Sequence, residues 1–137
     1  MILSTKITYS VRALSYLALH GDGRYISLTE IAEDEDISLN YLAHLFSKLR
    51  NRGIIESIRG RRGGYRLARR PEEICLYDII EAIEMQDFLN LNLPDYIDDH
   101  SSCRMVTDLL WSGFDRHVRD FLTNTTLASI LERTVAA

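Results

Sequence analysis

Cysteine is scarce in this chain. Among 137 residues there are two, Cys75 and Cys103, 28 positions apart, and no C-x-x-C pair. That argues against a disulfide framework or a structural zinc site and suits a reducing cytosol. No apolar run approaches the ~18–20 residues needed to cross a bilayer, which excludes a membrane-spanning helix. The N-terminus, Met1-Ile-Leu-Ser-Thr-Lys6, lacks the charged-then-apolar layout of a secretory signal, so the expected location is cytoplasmic. Internal repeats and low-complexity tracts are also missing. What remains is ordinary: 46% hydrophobic and 26% charged residues fit a globular protein rather than a disordered tail or a collagen. The length fits one domain, or a small domain with a helical appendage.

The net charge of −4 conceals an asymmetry. Residues 1–70 hold 12 Lys/Arg against 7 Asp/Glu, whereas residues 71–137 hold 4 against 13. Between positions 48 and 70 there are 9 basic residues and 1 acidic. A polyanion-binding half joined to a half with another task is one reading; a solvated charged face is the other.

Periodicity organises the chain. Ile7, Val11, Leu14 and Ala18 form a helical stripe behind Ser4 or Thr5, and Gly21 and Gly23 can stop it. Ser27 to Glu30 has capping-box spacing, which predicts a short helix burying Leu28, Ile31 and Ala32. The polar break 34–37 leads to a second cap, Ser38. Leu42, Leu45, Phe46 and Leu49 then recur at helical spacing, and Gly53 suits the position just past the helix end. Residues 54–59 and 65–68 read as a hairpin around the turn Gly60-Arg-Arg-Gly-Gly64. Leu76, Ile79, Ile80 and Ile83 mark another short helix. Residues 86–102 lose periodicity and carry Asp87, Asp95, Asp98, Asp99 and His100, which reads as a long loop. Val106, Leu110, Phe114, Val118 and Phe121 form the stripe of a longer helix, widened by Leu109, Trp111 and Leu122, and a last helix is predicted over 127–135.

Two capped helices, a tight break and a basic hairpin compose a winged helix-turn-helix. The fold class is therefore mainly α with a small β-wing, extended by a long C-terminal helix. The second capped helix fits the ~12 Å major groove, while the first crosses the backbone. Its solvent side would offer Asn40, Tyr41, His44, Ser47 and Lys48. Ser38 and the amides after it lie at the positive helix end, which suits a phosphate. At the hairpin tip Arg59, Arg61 and Arg62 are cationic, and Gly63 and Gly64 are small enough for close approach to a sugar-phosphate backbone. The bland alternative is a helical core with a charged loop tip. A nucleotide loop is disfavoured, because the glycines join two strands and no G-x-x-x-x-G-K-[ST] pattern exists. Neither a nucleophile–base motif nor H-E-x-x-H appears, so no enzymatic activity is expected.

The segments Leu3-Ser-Thr-Lys6, Ile37-Ser-Leu-Asn-Tyr-Leu42, Leu49-Arg-Asn-Arg-Gly-Ile54 and Ile58-Arg-Gly-Arg-Arg-Gly-Gly-Tyr-Arg-Leu67 carry a resemblance. They resemble the Rrf-two family of bacterial transcription regulators, which includes IscR, NsrR and CymR types. The likeness spans about residues 1 to 84 and resumes more weakly at Phe121-Leu-Thr-Asn-Thr-Thr-Leu127. It implies a DNA-binding domain over 1–84, a loop over 85–102 as sensing region, and dimerisation and terminal helices over 103–137. It also implies a homodimer on a double-stranded palindromic operator, joined through Val106, Leu110, Phe114, Val118 and Phe121. Phosphate contact transfers to Ser38 and Tyr41, and minor-groove entry to Arg59. Where IscR types carry a Glu-Gln pair, this chain has Ala43-His44, so base specificity does not transfer.

Many members of that family sense through an iron–sulfur cluster, with three cysteines between the short helix and the dimer helix. Here Cys103 stands alone in that stretch; the family's last cysteine falls on Met105 and a histidine on Asp108. Cys103 and His100 from each of two subunits would supply four ligands of a non-standard cluster, with Asp98 or Asp99 as substitutes. First-helix ligands used by some relatives are not matched by Tyr9, Arg12 or His20. Two further readings of Cys103 stand beside this: a thiol switch at a helix N-terminus next to Arg104, and no ligand role. Cys75 sits at a helix cap and is expected to be structural. The function expected is a homodimeric transcriptional regulator, a repressor, answering a redox, metal or metabolic signal. The alternative is a cofactor-free regulator controlled by a partner protein docking on the acidic C-terminal half.

Overall fold

Ser27 and Ser38 each cap a helix as predicted, and of the two candidates at the first helix, Ser4 and Thr5, the cap is Ser4. In this computed structural model, residues 4–84 and 102–136 are described, with side chains to 133. The predicted loop, including Asp87, Asp95, Asp98, Asp99 and His100, lies outside the described residues up to position 101. Helix α1 is Thr5–His20, and Ser4 Oγ accepts from the Ile7 amide at 3.4 Å. Ile7, Ala13, Leu14 and Leu17 face inward, and buried Ser10 donates its hydroxyl to the Lys6 carbonyl at 2.7 Å. Helix α2 is Leu28–Glu35, and Ser27 Oγ accepts from the Glu30 amide at 3.2 Å. The returning half of that capping box is replaced by a tertiary contact. The Glu30 carboxylate receives the Tyr16 hydroxyl at 3.3 Å and the Arg24 guanidinium at 3.1 Å.

Asp36 ends α2 in the left-handed region at φ 53°, a conformation that Asp tolerates better than most residues. The break is thus three residues long, Asp36 to Ser38, before α3, Leu39–Asn51, begins, two residues of the predicted polar break having joined α2. Leu42, Leu45, Phe46 and Leu49 are fully buried on one side of α3. Gly53, at φ +70°, turns the chain out of the helix, and the Ile54 amide donates back to Leu49 at 3.1 Å. Because that amide belongs to the helix end, strand β1 starts one residue later than predicted and runs Ile55–Ile58. Strand β2, Gly64–Leu67, returns antiparallel with Ile55 opposite Leu67 and Ile58 opposite Gly64. Ile26 adds a third rung by exchanging two 2.8 Å hydrogen bonds with Tyr65.

After a single 3-10 turn at Pro71–Glu73 come α4, Leu76–Glu84, and beyond the undescribed stretch α5, Ser102–Asn124, and α6, Leu127–Ala136. The corner between α5 and α6 is fastened to the start of α4. Leu76 donates to Thr125 and Leu127 to Ile74, both at 2.8 Å, around a bridge between Cys75 and Thr126. Leu122 and Leu127 therefore join the same hydrophobic cluster as Leu14, Phe46 and Ile79. Phe46 closes that cluster under the wing, edge-on to Tyr65 with ring centroids 5.0 Å apart. Among the described residues no helix is long and apolar enough to cross a membrane.

Candidate nucleic-acid interface

At roughly 100° per residue, burial of Leu42, Leu45, Phe46 and Leu49 leaves one outward arc on α3. Asn40, Ala43, His44, Ser47 and Asn51 occupy it and are exposed. Asn51 was not singled out from the sequence, although it lies one turn beyond Ser47 on the same arc. The arc carries amide, imidazole and hydroxyl groups, which read base edges by hydrogen bonding, and no carboxylate that would repel phosphates. Ser38 is exposed at the head of α3, its Oγ accepting from the Tyr41 amide at 3.5 Å. Its hydroxyl proton remains available to an anion at the positive helix end.

Tyr41 and Lys48 stand on the flank of the arc and are half-buried. The Tyr41 ring meets Tyr9 edge-on at 5.8 Å, and the Arg12 guanidinium lies 5.5 Å from the Tyr9 ring centre. Arg12 in turn holds the Glu35 carboxylate at 2.9 Å and its carbonyl at 2.8 Å, which ties α1 to the end of α2. Lys48 does not stand out from the arc: its Nζ donates to the Ile83 carbonyl at 3.2 Å. Arg50 reaches Ser57 on β1 at 3.3 Å, joining α3 to the wing.

The nine basic residues between 48 and 70 sort cleanly by partner. Arg52 pairs with Glu81, Arg66 with Glu56, Arg69 with Asp78 and Arg70 with Glu73. With Lys48 and Arg50 engaged as above, Arg59, Arg61 and Arg62 have no hydrogen-bond or ion-pair partner among the described residues, and all three are exposed. The charge excess visible in the sequence thus narrows to three guanidiniums at the wing tip. Glu56 raises the pKa of Arg66 beyond its already high value, chiefly by a hydrogen bond, and so fixes that cation in the sheet.

The tip glycines are there for backbone reasons. Gly60 sits at φ +116°, open to glycine and strained for other residues. A Cβ on Gly63 would meet the Ile58 carbonyl oxygen at 2.5 Å, and one on Gly64 the Ile26 carbonyl oxygen at 2.3 Å. Gly63 and Gly64 therefore let strands approach strands, independently of any approach to DNA.

Helix α5 presents a different surface. Val106, Leu110 and Phe121 are 67%, 63% and 55% exposed, and Phe114 is 41% exposed. Val118 is half-buried against the core, and of the side chains on α5 only Leu122 is buried. Met105, Leu109 and Trp111 extend the bare apolar surface, with Trp111 edge-on to Phe114 at 6.3 Å.

An iron–sulfur centre needs about four strong ligands, mostly thiolates. Cys75 is half-buried at the bridge to Thr126, and burial pushes its thiol pKa up, away from the thiolate that ligation requires. Cys103 is exposed in the first turn of α5, and His100 lies outside the described residues. Among the described residues no three His, Cys, Asp or Glu gather to hold a metal ion. With two cysteines in the whole chain, a four-thiolate set from one protomer does not fit.

A family profile described as "Rrf2: Iron-dependent Transcriptional regulator" matches residues 3–133. The HTH-type transcriptional regulator IscR of Cereibacter sphaeroides is 40% identical over 136 residues, covering 96% of this chain and 88% of that protein. The solved structure of T. potens IscR matches with a TM-score of 0.77 at 34% identity, covering 98% of this chain and 88% of that one. That of CymR, the global cysteine regulator of B. subtilis, matches at 0.78 and 31% identity, covering 97% and 98%. These relatives are named as regulators and not as enzymes.

Proposed function

The chain belongs to the Rrf2 family of transcriptional regulators, and from that premise we propose that it is a cytoplasmic, homodimeric, sequence-specific repressor of transcription. The observation that carries this reading is the trio Arg59, Arg61 and Arg62, without a partner among the described residues, beside the exposed polar arc of α3, while the other six cations between 48 and 70 are engaged. The α3 arc enters the major groove, with Asn40, His44, Ser47 and Asn51 at base edges. Ser38 and Tyr41 lie against phosphates at the head of the helix, and the wing arginines follow the adjacent backbone, Arg59 into the minor groove.

One winged helix is a small footprint, and the apolar stripe of α5 supports pairing with a second copy. Val106, Leu110, Phe114 and Phe121 on one protomer, with Val118 at the edge, form a patch too apolar to face water. A two-fold pair places two recognition helices on two half-sites of a palindrome, and occupying a promoter in this way excludes polymerase. Because the donor set does not fit a four-thiolate cluster, no step here passes through one.

Control by a partner protein, without a cofactor, is the second reading. It is favoured by the acidic excess of residues 71–137, 13 Asp/Glu against 4 Lys/Arg. Iron and acid-labile sulfide measured on anaerobically purified protein separate it from a redox- or metal-sensing regulator; stoichiometric iron with sulfide overturns the cofactor-free reading. The DNA-binding proposal itself is tested by selecting duplexes from a random pool with the purified protein, then footprinting them. A protected palindrome with half-sites about one or two helical turns apart is expected. Enrichment of no sequence overturns it.

A further inference from the structure

Lys48 is the basic residue of α3 whose charge is directed inward. Its ammonium donates to the carbonyl of Ile83 at 3.2 Å, and its side chain is half-buried. Ile83 belongs to α4, Leu76–Glu84. A main-chain carbonyl of α4 thus takes a charged donor from another element, a stronger contact than one between neutral groups. Close by, Arg52 at the end of α3 reaches Glu81 of α4 at 3.9 Å. Two cations from the tail of the recognition helix thus hold the same stretch of α4. Helix α4 also packs against α5, the helix with the bare apolar stripe.

We infer that Lys48 is a positioning residue that ties α3 to α4 and sets the angle of the recognition helix relative to α5. The inference rests on the DNA-binding, dimeric reading above and gives it a mechanical part. In a dimer joined through α5, the tilt of α3 against α4 and α5 determines how far apart the two recognition helices lie. The Lys48 link therefore bears on operator selectivity, through half-site spacing, and leaves the general attraction to phosphates to the wing arginines. Differential affinity for a matched duplex is the quantity such a link changes.

Lys48→Met removes the ammonium and keeps the apolar stem, so the fold is retained; Lys48→Arg keeps a cation of similar reach. Two readouts are needed. Without DNA, hydrogen exchange of the amides at Glu81 to Glu84 is expected to quicken in Lys48→Met and to return towards wild type in Lys48→Arg. With DNA, the probes are a duplex selected by the wild-type protein and a shuffled duplex of the same length, titrated across salt. Lys48→Met is expected to bind the selected duplex roughly fivefold to tenfold more weakly. Its affinity for the shuffled duplex and its salt slope should not move. Equal loss on both duplexes, with the slope reduced by about one, identifies Lys48 as a phosphate contact and overturns the inference. So does unchanged exchange in α4 of a variant protein. A wild type that selects no duplex overturns the DNA reading and this role with it. A wild type that selects one while Lys48→Met behaves as a phosphate-contact variant overturns this role alone.

Discussion

Helices α3 and α5 are both amphipathic by sequence, and the folded chain uses them differently. In α3 Leu42, Leu45, Phe46 and Leu49 are all fully buried, and what remains outside is mainly polar, with Asn40, His44, Ser47, Arg50 and Asn51 beside Leu39 and Ala43. In α5, the longer helix, Leu122 alone is buried, and what remains outside includes Val106, Leu109, Leu110, Phe114 and Phe121. The first helix has buried most of its apolar side within its own protomer and leaves outside the polar groups proposed above to meet a groove. The second keeps an apolar side in water at about 25 cal/mol per Å², a cost that a like surface removes. One chain therefore carries two incomplete surfaces of opposite chemistry, and the molecules that complete them differ accordingly.

Substitutions can break or sharpen this contrast. The largest effect is expected from Phe46→Ala. It empties the space under the wing and should lower protomer stability by about 3–5 kcal/mol in urea unfolding. Phe114→Ala on α5 should leave the unfolding of a dilute protomer nearly unchanged; an equal loss would mean α5 is ordinary core. Next, Leu110→Glu places a carboxylate in the middle of the proposed seam and should weaken association by about 3 kcal/mol or more. Sedimentation equilibrium checks this, with far-UV circular dichroism as the control for folding, and an undiminished dimer would break the comparison. Gly64→Ala forces a Cβ against the Ile26 carbonyl and should cost about 2 kcal/mol in thermal unfolding, because backbone must shift. On the α3 side, Arg59→Ala should weaken binding to the selected duplex by about 1–3 kcal/mol. Unchanged affinity in a filter-binding titration removes Arg59 from the groove. The smallest change is expected from Arg61→Ala: similar weakening on every duplex, with the salt slope lowered by about one.

Much of this architecture is legible without coordinates, and its limits have a common cause. The caps Ser4, Ser27 and Ser38, the buried stripe of α3 and the turn at Gly53 depend on residues a few positions apart. The hairpin was legible too, but its edges moved by a residue once the Ile54 amide was claimed by the end of α3. The wing arginines were visible in the sequence as part of a nine-cation excess. Six of those nine have internal partners, many of them far along the chain, such as Glu81 for Arg52 and Ile83 for Lys48. No local pattern announces such a partner. Asn51 is missed for a different reason: Gly53 places it in the last turn of the helix, but periodicity alone does not say that neighbouring elements leave that turn uncovered.

By itself the sequence determined the element types and the winged helix-turn-helix order, because caps, periods of 3.6 and 2, and turn glycines act over short range. Tertiary structure decided which charges remain free and which surfaces remain bare. Gly64 became obligatory because Ile26 crosses it, Lys48 turned inward because a carbonyl of α4 lies beside it, and the corner of α5 and α6 was fixed by the bridge at Cys75. Those outcomes depend on groups brought together from distant parts of the chain. Only packing places such groups within hydrogen-bonding or van der Waals reach of one another.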